Sequence, residues 1–388
     1  MIWQRAIFAS CLLLSVCSQA ADVESPAAAR KREMAKTRAA VMQELETAGG
    51  DWRAWYERVK PAWTELDQKI NEGLKDPRAV ADPNAPKWSY LHTAGTPSMF
   101  VQVWSAPYLM AERMDPDEFL KPRPSVQVLL AYKRWLEAHH VDLIFVPVPK
   151  LVQVYPERIL KNAPSDRILA PHMRKLILQL LDEDVEVIDL LPEFLKLSAS
   201  GAPPLYLPAD SHWSQMTQKL TAHLLAQRLA RYPFVQKALK QPPKFKSAEV
   251  EVQFNGSDYG YLKPEEQKQV EAYSHLSLTQ IQDSSGQPYQ DPENAPLVMI
   301  GDSYVHYFSI GIKKGTGIAA LLSREVNLPV TDRSVGGGRT ESLREFFRDP
   351  ELLDIHKVVI WIISIDAFMA PTGWDMPPFP PTAGHAPK

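Results

Sequence analysis

One candidate for chemistry is the serine of the motif Gly301-Asp302-Ser303. The motif follows directly on the short apolar run 297–300, which has the composition of a buried strand. Its glycine permits a tight turn, and the turn leaves the serine hydroxyl at the carboxyl edge of a parallel sheet, where such folds place their sites. A serine hydroxyl is a poor nucleophile until a base takes its proton, so the motif needs a partner. Taken alone, Gly-Asp-Ser is also an ordinary strand-ending turn.

The candidate partner is Asp210-Ser211-His212-Trp213, which lies just before a predicted helix. An imidazole can take a serine proton when a third group fixes its tautomer and stabilises the imidazolium. In extended backbone, side chains two positions apart point the same way, so Asp210 can hold one ring nitrogen of His212 while the other faces Ser303. Two alternatives stay open here. One is an aspartate that caps the next helix beside a surface histidine, and the other is a metal site, which lacks a second histidine or cysteine at ligand spacing.

Alternating strand-like and helix-like segments surround these motifs. Buried strands are predicted at 143–148, 185–190, 297–300 and 358–363, and helices at 126–139, 171–181 and 214–232. In the last helix we expect Ser214 as N-cap and an inner side made of Met216, Leu220, Leu224, Leu225 and Leu229. Such alternation predicts an α/β layer fold with a largely parallel sheet.

Four further regions set the predicted domain boundaries. Residues 1–20 have the pattern of a secretory signal peptide, and 21–100 form a helical N-terminal extension whose tryptophans we interpret as core. The catalytic domain spans 101–370, with an irregular insertion around 242–296 where the sequence turns polar and Gln-rich. Residues 371–388 form a Pro-rich tail that we expect to be loosely attached.

The composition argues against a nucleic-acid-binding protein and against one that depends on disulfides. The 388 residues carry 43 Lys+Arg against 46 Asp+Glu, a formal net charge of -3, which lacks the basic footprint that nucleic-acid binding requires. Both cysteines, Cys11 and Cys17, lie inside the predicted signal peptide, so the mature chain has none to pair. We therefore expect an exported, periplasmic protein that does not depend on disulfides.

The strand and turn Asp-Leu-Ile-Phe-Val-Pro-Val-Pro-Lys at 142–150, with Val-Tyr-Pro-Glu at 154–157, add a third motif. Together with Asp-Ser-His-Trp at 210–213 and Gly-Asp-Ser at 301–303, it resembles the periplasmic alginate O-acetyltransferases and related polysaccharide acetylation proteins of the SGNH hydrolase superfamily. The resemblance covers roughly 125–370 and includes the order of the motifs, in which Asp-x-His precedes the serine. It implies an SGNH hydrolase-like parallel sheet flanked by helices, with a permuted order of catalytic motifs.

Carried over by residue, the resemblance implies that Ser303 is the nucleophile, His212 the general base and Asp210 its orienting carboxylate. Asp302 becomes a structural member of the turn. No Gly-x-Asn-Asp block is present to supply an oxyanion-hole asparagine, so the candidate donors are the backbone N–H groups of Ser303 and of the glycines 336–338, centred on Gly337. An ordinary flexible loop explains these glycines equally well.

Four more side chains are candidates for an acceptor groove. Lys150 and Arg339 suit an anionic uronate, Trp213 suits stacking on a sugar, and Tyr304 lies next to the predicted nucleophile. Each of them also fits a simpler role, as a packed ring or a solvated cation.

The resemblance implies a reaction and its partners. An acetyl group would pass through acetyl-Ser303 to an exopolysaccharide, alginate-like or cellulose-like, without a cofactor or metal. Because acetyl-CoA is absent outside the cytoplasm, the acetyl source would be a membrane-bound acyltransferase within a larger exopolysaccharide machine. Two other hypotheses stay open: a carbohydrate acetylesterase, which gives the same acyl-enzyme to water, and a non-catalytic glycan-binding scaffold.

Overall fold

The structure, a computed structural model, describes residues 24–73, 75, 88–92, 100–104, 123–370, 372–376 and 378–379. The predicted signal peptide lies outside these residues. The strands are β1 Trp88–His92, β2 Phe100–Trp104, β3 Asp142–Val148, β4 Glu186–Val187, β5 Lys246–Gln253, β6 His275–Gln282, β7 Leu297–Gly301, β8 Val330–Asp332 and β9 Val358–Ser364.

The helices follow the same alternation along the chain. They are α1 Pro26–Thr47, α2 Trp52–Gly73, α3 Pro124–Ala138, α4 Leu151–Val154, α5 Pro156–Ile159, α6 Pro171–Asp182, α7 Leu191–Ala199, α8 Gln215–Leu229, α9 Pro233–Leu239, α10 Pro264–Glu271, α11 Ser303–Tyr307, α12 Ile318–Val326, α13 Glu341–Phe346 and α14 Ile365–Met369. Short 3-10 turns span Tyr259–Tyr261 and Pro350–Asp354, and a π-helical turn spans Phe308–Ile312. Among the described residues, no helix is both long and apolar enough to cross a membrane.

A parallel sheet forms the centre of the part of the chain that the structure describes. Its five strands run in the order β4-β3-β9-β7-β8, and every neighbouring pair is parallel. All seven residues of the middle strand, β9, are buried, as expected for a parallel strand covered by helices on both faces. The predicted α/β fold with a parallel sheet and N-terminal helices is confirmed.

The two N-terminal helices pack on this sheet through α6. Arg174 of α6, only 1% exposed, donates to Glu44 of α1 and to Asp189. In α2, the indole of Trp63 donates to the carbonyl of Leu169 over 2.8 Å. Separating the buried Arg174 guanidinium from its two carboxylates would leave unpaired charges in the interior, which costs free energy. The ion pair with Glu44 therefore fixes α1 against the sheet.

The segment 242–296, predicted to be irregular, contains a two-stranded antiparallel ribbon. Strands β5 and β6 pair along their whole length, from Lys246 opposite Gln282 to Gln253 opposite His275, and α10 lies between them in sequence. Ala248, Val250 and Val252 form the half-buried face of β5 and alternate with exposed polar residues. This period of two is typical of a strand, and the prediction of irregular structure is wrong for these residues.

Two smaller predictions are corrected by the structure. Strand β4 is only two residues long, since the chain leaves the sheet after Val187. In α8, Ser214 is the N-cap and Leu225 and Leu229 are buried as predicted, whereas Met216, Leu220 and Leu224 are only half-buried. Their places on the inner side are taken by polar residues, among them Thr217, Gln218 and Thr221.

Most of the predicted tail lies outside the described residues. In the described part, Trp374 is 5% exposed and its ring lies 5.4 Å from that of Phe368.

Candidate active site

The turn that carries Ser303 is fixed by a close approach of two strands. At Gly301 the backbone has φ 144°, and a Cβ there would lie 1.6 Å from the carbonyl oxygen of Ile362 in β9, so only glycine fits. Asp302 caps α11 by accepting the N–H of Tyr304. Its other oxygen accepts the N–H and the hydroxyl of Ser364 at 2.9 and 2.7 Å. Asp302 therefore joins the ends of β7 and β9, the structural position expected for it.

Ser303 and His212 are in hydrogen-bond contact. The Nε2 atom of His212 lies 2.8 Å from the Ser303 hydroxyl, and its Nδ1 lies 2.6 Å from Oδ1 of Asp210. An ionised carboxylate only accepts, so Nδ1 carries the ring proton and Nε2 is free to accept the proton of Ser303. This is the arrangement that general-base activation of a serine requires.

The backbone between Asp210 and His212 is a turn, and the expectation of extended geometry is wrong. Oδ1 of Asp210 accepts the backbone N–H of His212 at 2.8 Å in addition to the ring Nδ1–H. The turn is closed behind them by hydrogen bonds from Leu207 N to His212 O and from Ser214 N to Leu205 O. Aspartate supports such turns because its short carboxylate reaches the backbone two residues ahead.

The second carboxylate oxygen of Asp210 is also occupied. Oδ2 accepts the backbone N–H of Ser257 at 2.9 Å and the phenol of Tyr307 at 2.6 Å. Burial on its own would raise the pKa of Asp210, but the hydrogen bond and charge of His212, together with these two donors, hold it below its ordinary value. Asp210 is therefore ionised at neutral pH and available to hold His212.

Tyr307 contacts both members of the Asp210–His212 pair. Besides its bond to Asp210, its ring stacks on the imidazole of His212 with centroids 3.7 Å apart and planes 8° apart. Burial and the neighbouring carboxylate raise the pKa of its phenol, which keeps it a donor. Sequence reasoning missed this residue. Its position four residues after Ser303, on the same face of α11, was the available signal.

The β5–β6 ribbon reaches this site through the loop 254–258. Gly256 lies so close to the Asp210 turn that a Cβ there would be 2.3 Å from the carbonyl oxygen of Ala209. The same carbonyl accepts the N–H of Asp258. Because the neighbouring Ser257 supplies a donor to Asp210, the insertion is part of the structure that holds the site.

Two of the predicted groove residues lie in the interior. Trp213 is 0% exposed and donates its indole N–H to the carbonyl of Tyr304, which is itself 3% exposed. The phenol of Tyr304 donates to the carbonyl of Ser211. The expected stacking role of Trp213 and groove-lining role of Tyr304 are therefore wrong, because neither ring presents a face to substrate. Both rings instead tie the Asp210 turn to the helix of Ser303.

Lys150 is largely covered as well. Its side chain is 14% exposed, and Nζ lies 3.3 Å from the Tyr304 hydroxyl and 3.3 Å from Oδ2 of Asp366. The carboxylate neutralises its charge, so the structure does not present Lys150 as an open cation for a uronate. Its position supports Tyr304 instead.

The glycine loop after β8 borders the nucleophile turn on the other side. Val335 donates its N–H to the carbonyl of Gly301 over 3.0 Å, while Gly336 and Gly337 are exposed. Arg339 is half-buried at the end of this loop, and its guanidinium packs beside Gly373. The roles of Gly337 in an oxyanion hole and of Arg339 in binding stay predictions.

A Ser–His–Asp hydrogen-bond chain at the carboxyl ends of parallel strands is the arrangement of serine-dependent hydrolases and acyl transferases. Residues 109–364 match the family described as "SGNH hydrolase-like domain, acetyltransferase AlgX". The chain belongs to this family. The resemblance inferred from its three motifs is confirmed, as is the SGNH hydrolase-like fold.

Several solved structures are similar to the chain. The O-acetyltransferase domain of Pseudomonas putida AlgJ is 19% identical over 65% of this chain and 88% of its own length, with a TM-score of 0.48. Pseudomonas aeruginosa AlgX is 17% identical over 76% of this chain and 68% of its own, with a TM-score of 0.49. Bacillus cereus PatB1 is 11% identical over 74% of this chain and 100% of its own, with a TM-score of 0.43. No protein of curated function matches the sequence.

Proposed function

We propose that the protein is a polysaccharide O-acetyltransferase that works through an acetyl-serine intermediate. The observation that carries the proposal is the unbroken hydrogen-bond chain from Asp210 through His212 to Ser303, at 2.6 and 2.8 Å, within a domain of an acetyltransferase family. In this proposal Ser303 is the nucleophile, His212 the general base, and Asp210 fixes the tautomer of His212.

In the first half-reaction, Nε2 of His212 takes the proton of Ser303 while the serine oxygen attacks the acetyl carbonyl. The negative charge that develops on the carbonyl oxygen needs N–H donors, and each such donor is worth about 2.7–4 kcal/mol in the barrier. Ser303 is the first residue of α11, where backbone N–H groups have no acceptor within the helix. Its own N–H and that of Gly337 are the donors we propose. His212 then returns the proton to the leaving group, and acetyl-Ser303 remains.

In the second half-reaction a sugar hydroxyl replaces the leaving group. His212 takes the hydroxyl proton, the sugar oxygen attacks the acetyl carbon, and Ser303 leaves with the proton returned by His212. Water can follow the same route and release acetate. The enzyme is a transferase only if the acceptor sugar competes successfully with water for acetyl-Ser303.

The proposed setting is the periplasm, with an alginate-like or cellulose-like exopolysaccharide as acceptor. Family membership supports an acetyl-transfer role, and the signal-like pattern of residues 1–20 supports export. We propose 21–100 as an extension on a catalytic domain of 101–370, with 371–388 as a tail. A membrane-bound acyltransferase would supply the acetyl group, alongside the other components of an exopolysaccharide machine.

The test is an acetyl-transfer assay on the purified protein. An activated acetyl ester is supplied with oligosaccharides that include mannuronate and glucan oligomers, and the masses of the protein and the glycans are followed together. We expect acetylated glycan from the wild type and a transient mass gain of one acetyl group on the protein. Ser303→Ala and His212→Ala should lose both products.

The alternatives predict different products. A carbohydrate acetylesterase would consume the ester and release acetate while every glycan stays unmodified. A scaffold would bind a glycan and leave the ester intact in wild type and Ser303→Ala alike. Either result would refute the transferase.

A further inference from the structure

A second histidine, His306, lies on the same short helix as Ser303. The two residues are three positions apart, so their side chains share one face of α11. His306 is half-buried, and its Nδ1 lies 2.7 Å from the hydroxyl of Ser334, which follows β8. His306 therefore bridges the helix of the nucleophile and the loop that borders it. No step of the proposed mechanism uses it.

The partners of Ser334 fix the tautomer of His306. The Ser334 hydroxyl lies 2.5 Å from Oδ1 of Asp332, which also accepts the Ser334 backbone N–H at 2.8 Å. Burial raises the pKa of Asp332 to about 6 against the opposing effect of these bonds, so its carboxylate is ionised at neutral pH and accepts a hydrogen bond from the Ser334 hydroxyl. Ser334 is then left to accept from His306, so Nδ1 carries the ring proton and Nε2 carries a lone pair.

His306 stays neutral at physiological pH. Burial lowers its pKa, and the nearby His212 lowers it further. A neutral imidazole with a bare nitrogen is a hydrogen-bond acceptor, and it offers no donor to a carbonyl or an oxyanion at that atom.

The bare nitrogen points toward the open loop beside Ser303. A Cβ added at Gly336 would lie 3.6 Å from Nε2 of His306. Gly336 is exposed, and the preceding Val335 is bonded to the carbonyl of Gly301 in the nucleophile turn. Among the described residues, Nε2 has no hydrogen-bond partner. The unpaired acceptor therefore lies beside Gly336, on the exposed loop that borders the nucleophile turn.

We propose that Nε2 of His306 binds a hydroxyl group of the acceptor sugar, adjacent to the hydroxyl that is acetylated. The inference rests on the proposed transferase function and assigns part of its acceptor site. A sugar presents several O–H donors, whereas an activated acetyl ester presents none, so this contact acts on the second half-reaction alone. A group that pairs with one substrate hydroxyl also favours one orientation of the sugar, so His306 contributes to the choice of acetylated position.

The experiment compares how acetyl-Ser303 is divided between glycan and water. His306→Asn retains an amide donor near the position of Nδ1, for Ser334, and removes the acceptor at Nε2. Gly336→Ala keeps His306 but places a methyl group against Nε2, at a backbone position without a positive φ. We expect both variants to form acetyl-enzyme from the ester within about threefold of the wild-type rate. The ratio of acetylated glycan to acetate should fall about 10-fold, as for the loss of one hydrogen bond. His306→Gln, whose amide oxygen reaches toward the position of Nε2, should recover part of that ratio.

Three results would overturn the inference, and they are distinguishable. An unchanged ratio in both variants, with a wild type that acetylates glycan, refutes the role of His306 alone. The role of His306 is also refuted if the rates of ester cleavage and of glycan acetylation fall by the same factor. His306 would then act on a step that transfer to glycan and transfer to water share. A wild type that cleaves the ester but acetylates no glycan refutes the proposed function, and this inference with it. If His306→Asn folds poorly, Gly336→Ala still decides between the first outcome and the expected one.

Discussion

The two sides of Ser303 are built differently. On the side of the base, each carboxylate oxygen of Asp210 accepts two hydrogen bonds. The ring of Tyr307 stacks on the imidazole of His212. On the opposite side the glycine loop is exposed at Gly336, and Nε2 of His306 has no partner among the described residues.

The difference follows from what each side must do. A base that must present one tautomer in one orientation is best held by saturated hydrogen bonds and packing, since each unsatisfied donor would allow another arrangement. A site that admits a substrate must leave polar atoms unpaired until the substrate arrives. The four predictions below test whether the base side is as constrained, and the loop side as tolerant, as this comparison suggests.

The largest effect is expected for Asp210→Asn on the base side. The amide keeps the size of the carboxylate but can present N–H to the ring of His212, which favours the wrong tautomer. We expect the rate of acetyl-enzyme formation to fall by about 10⁴-fold. The measurement is a stopped-flow or mass-spectrometric rate with the acetyl ester, beside circular dichroism to verify folding. A folded variant that loses less than about 10-fold would mean that Asp210 does not orient the base.

The next effect concerns the insertion and uses two of its glycines. Gly256→Ala places a Cβ 2.3 Å from the carbonyl of Ala209 and 2.4 Å from that of Pro208, at a backbone φ of 93°. We expect the free energy of unfolding to fall by about 2 kcal/mol or more. Displacing Ser257 from Asp210 should also lower the acetylation rate by about 100-fold, given the strength of hydrogen bonds to charged groups.

Gly260→Ala is the matched control in the same segment. A Cβ at Gly260 meets nothing within 4 Å, so both stability and rate should stay close to wild type. Equal losses in the two variants would show that the insertion tolerates no change anywhere, and that its contact with the Asp210 turn is not special.

The parts of the site that the sequence predicts are the local ones. A strand-ending Gly-Asp-Ser and an Asp-x-His pair can be recognised in the sequence because each motif lies within a few residues. The alternation of strands and helices then predicts that both lie at one edge of a sheet. The parallel sheet itself follows from buried apolar runs such as β9. Local pattern, however, does not say which rings face solvent. Trp213 and Tyr304 were expected to line a groove and are instead buried.

The missed contacts are long-range in sequence. Tyr307 is 97 residues from Asp210, and Ser257 is 47 residues from it. The donor of Ser257 is a backbone N–H, which carries no signal of residue type at all. Its role depends on the ribbon packing against the Asp210 turn, and that packing is a tertiary contact that no local pattern records. Tertiary packing therefore supplies what the motifs leave out.

Tyr307→Phe tests the base side more finely. The variant keeps the ring on His212 and removes one donor from Oδ2 of Asp210. The carboxylate loses stabilisation, so the lowered pKa of Asp210 rises and the carboxylate is protonated at a higher pH. We expect the rate of acetyl-enzyme formation at pH 7 to fall about 10-fold. An unchanged rate would reduce Tyr307 to a packing residue, whose loss Tyr307→Leu would reveal separately.

The smallest effect is expected on the loop side, for Gly337→Ala. Gly337 has φ 66°, so alanine pays the left-handed backbone cost of about 1 kcal/mol, but its methyl group meets nothing within 4 Å and leaves the backbone N–H in place. The free energy of unfolding should fall by about that amount, while the acetylation rate stays within about threefold of wild type. Thermal unfolding and the acetyl-transfer assay measure the two quantities. Because Gly256→Ala also introduces a methyl group at a positive φ, a comparable loss of rate in both variants would mean that the loop side is as constrained as the base side, and the contrast between them would fail.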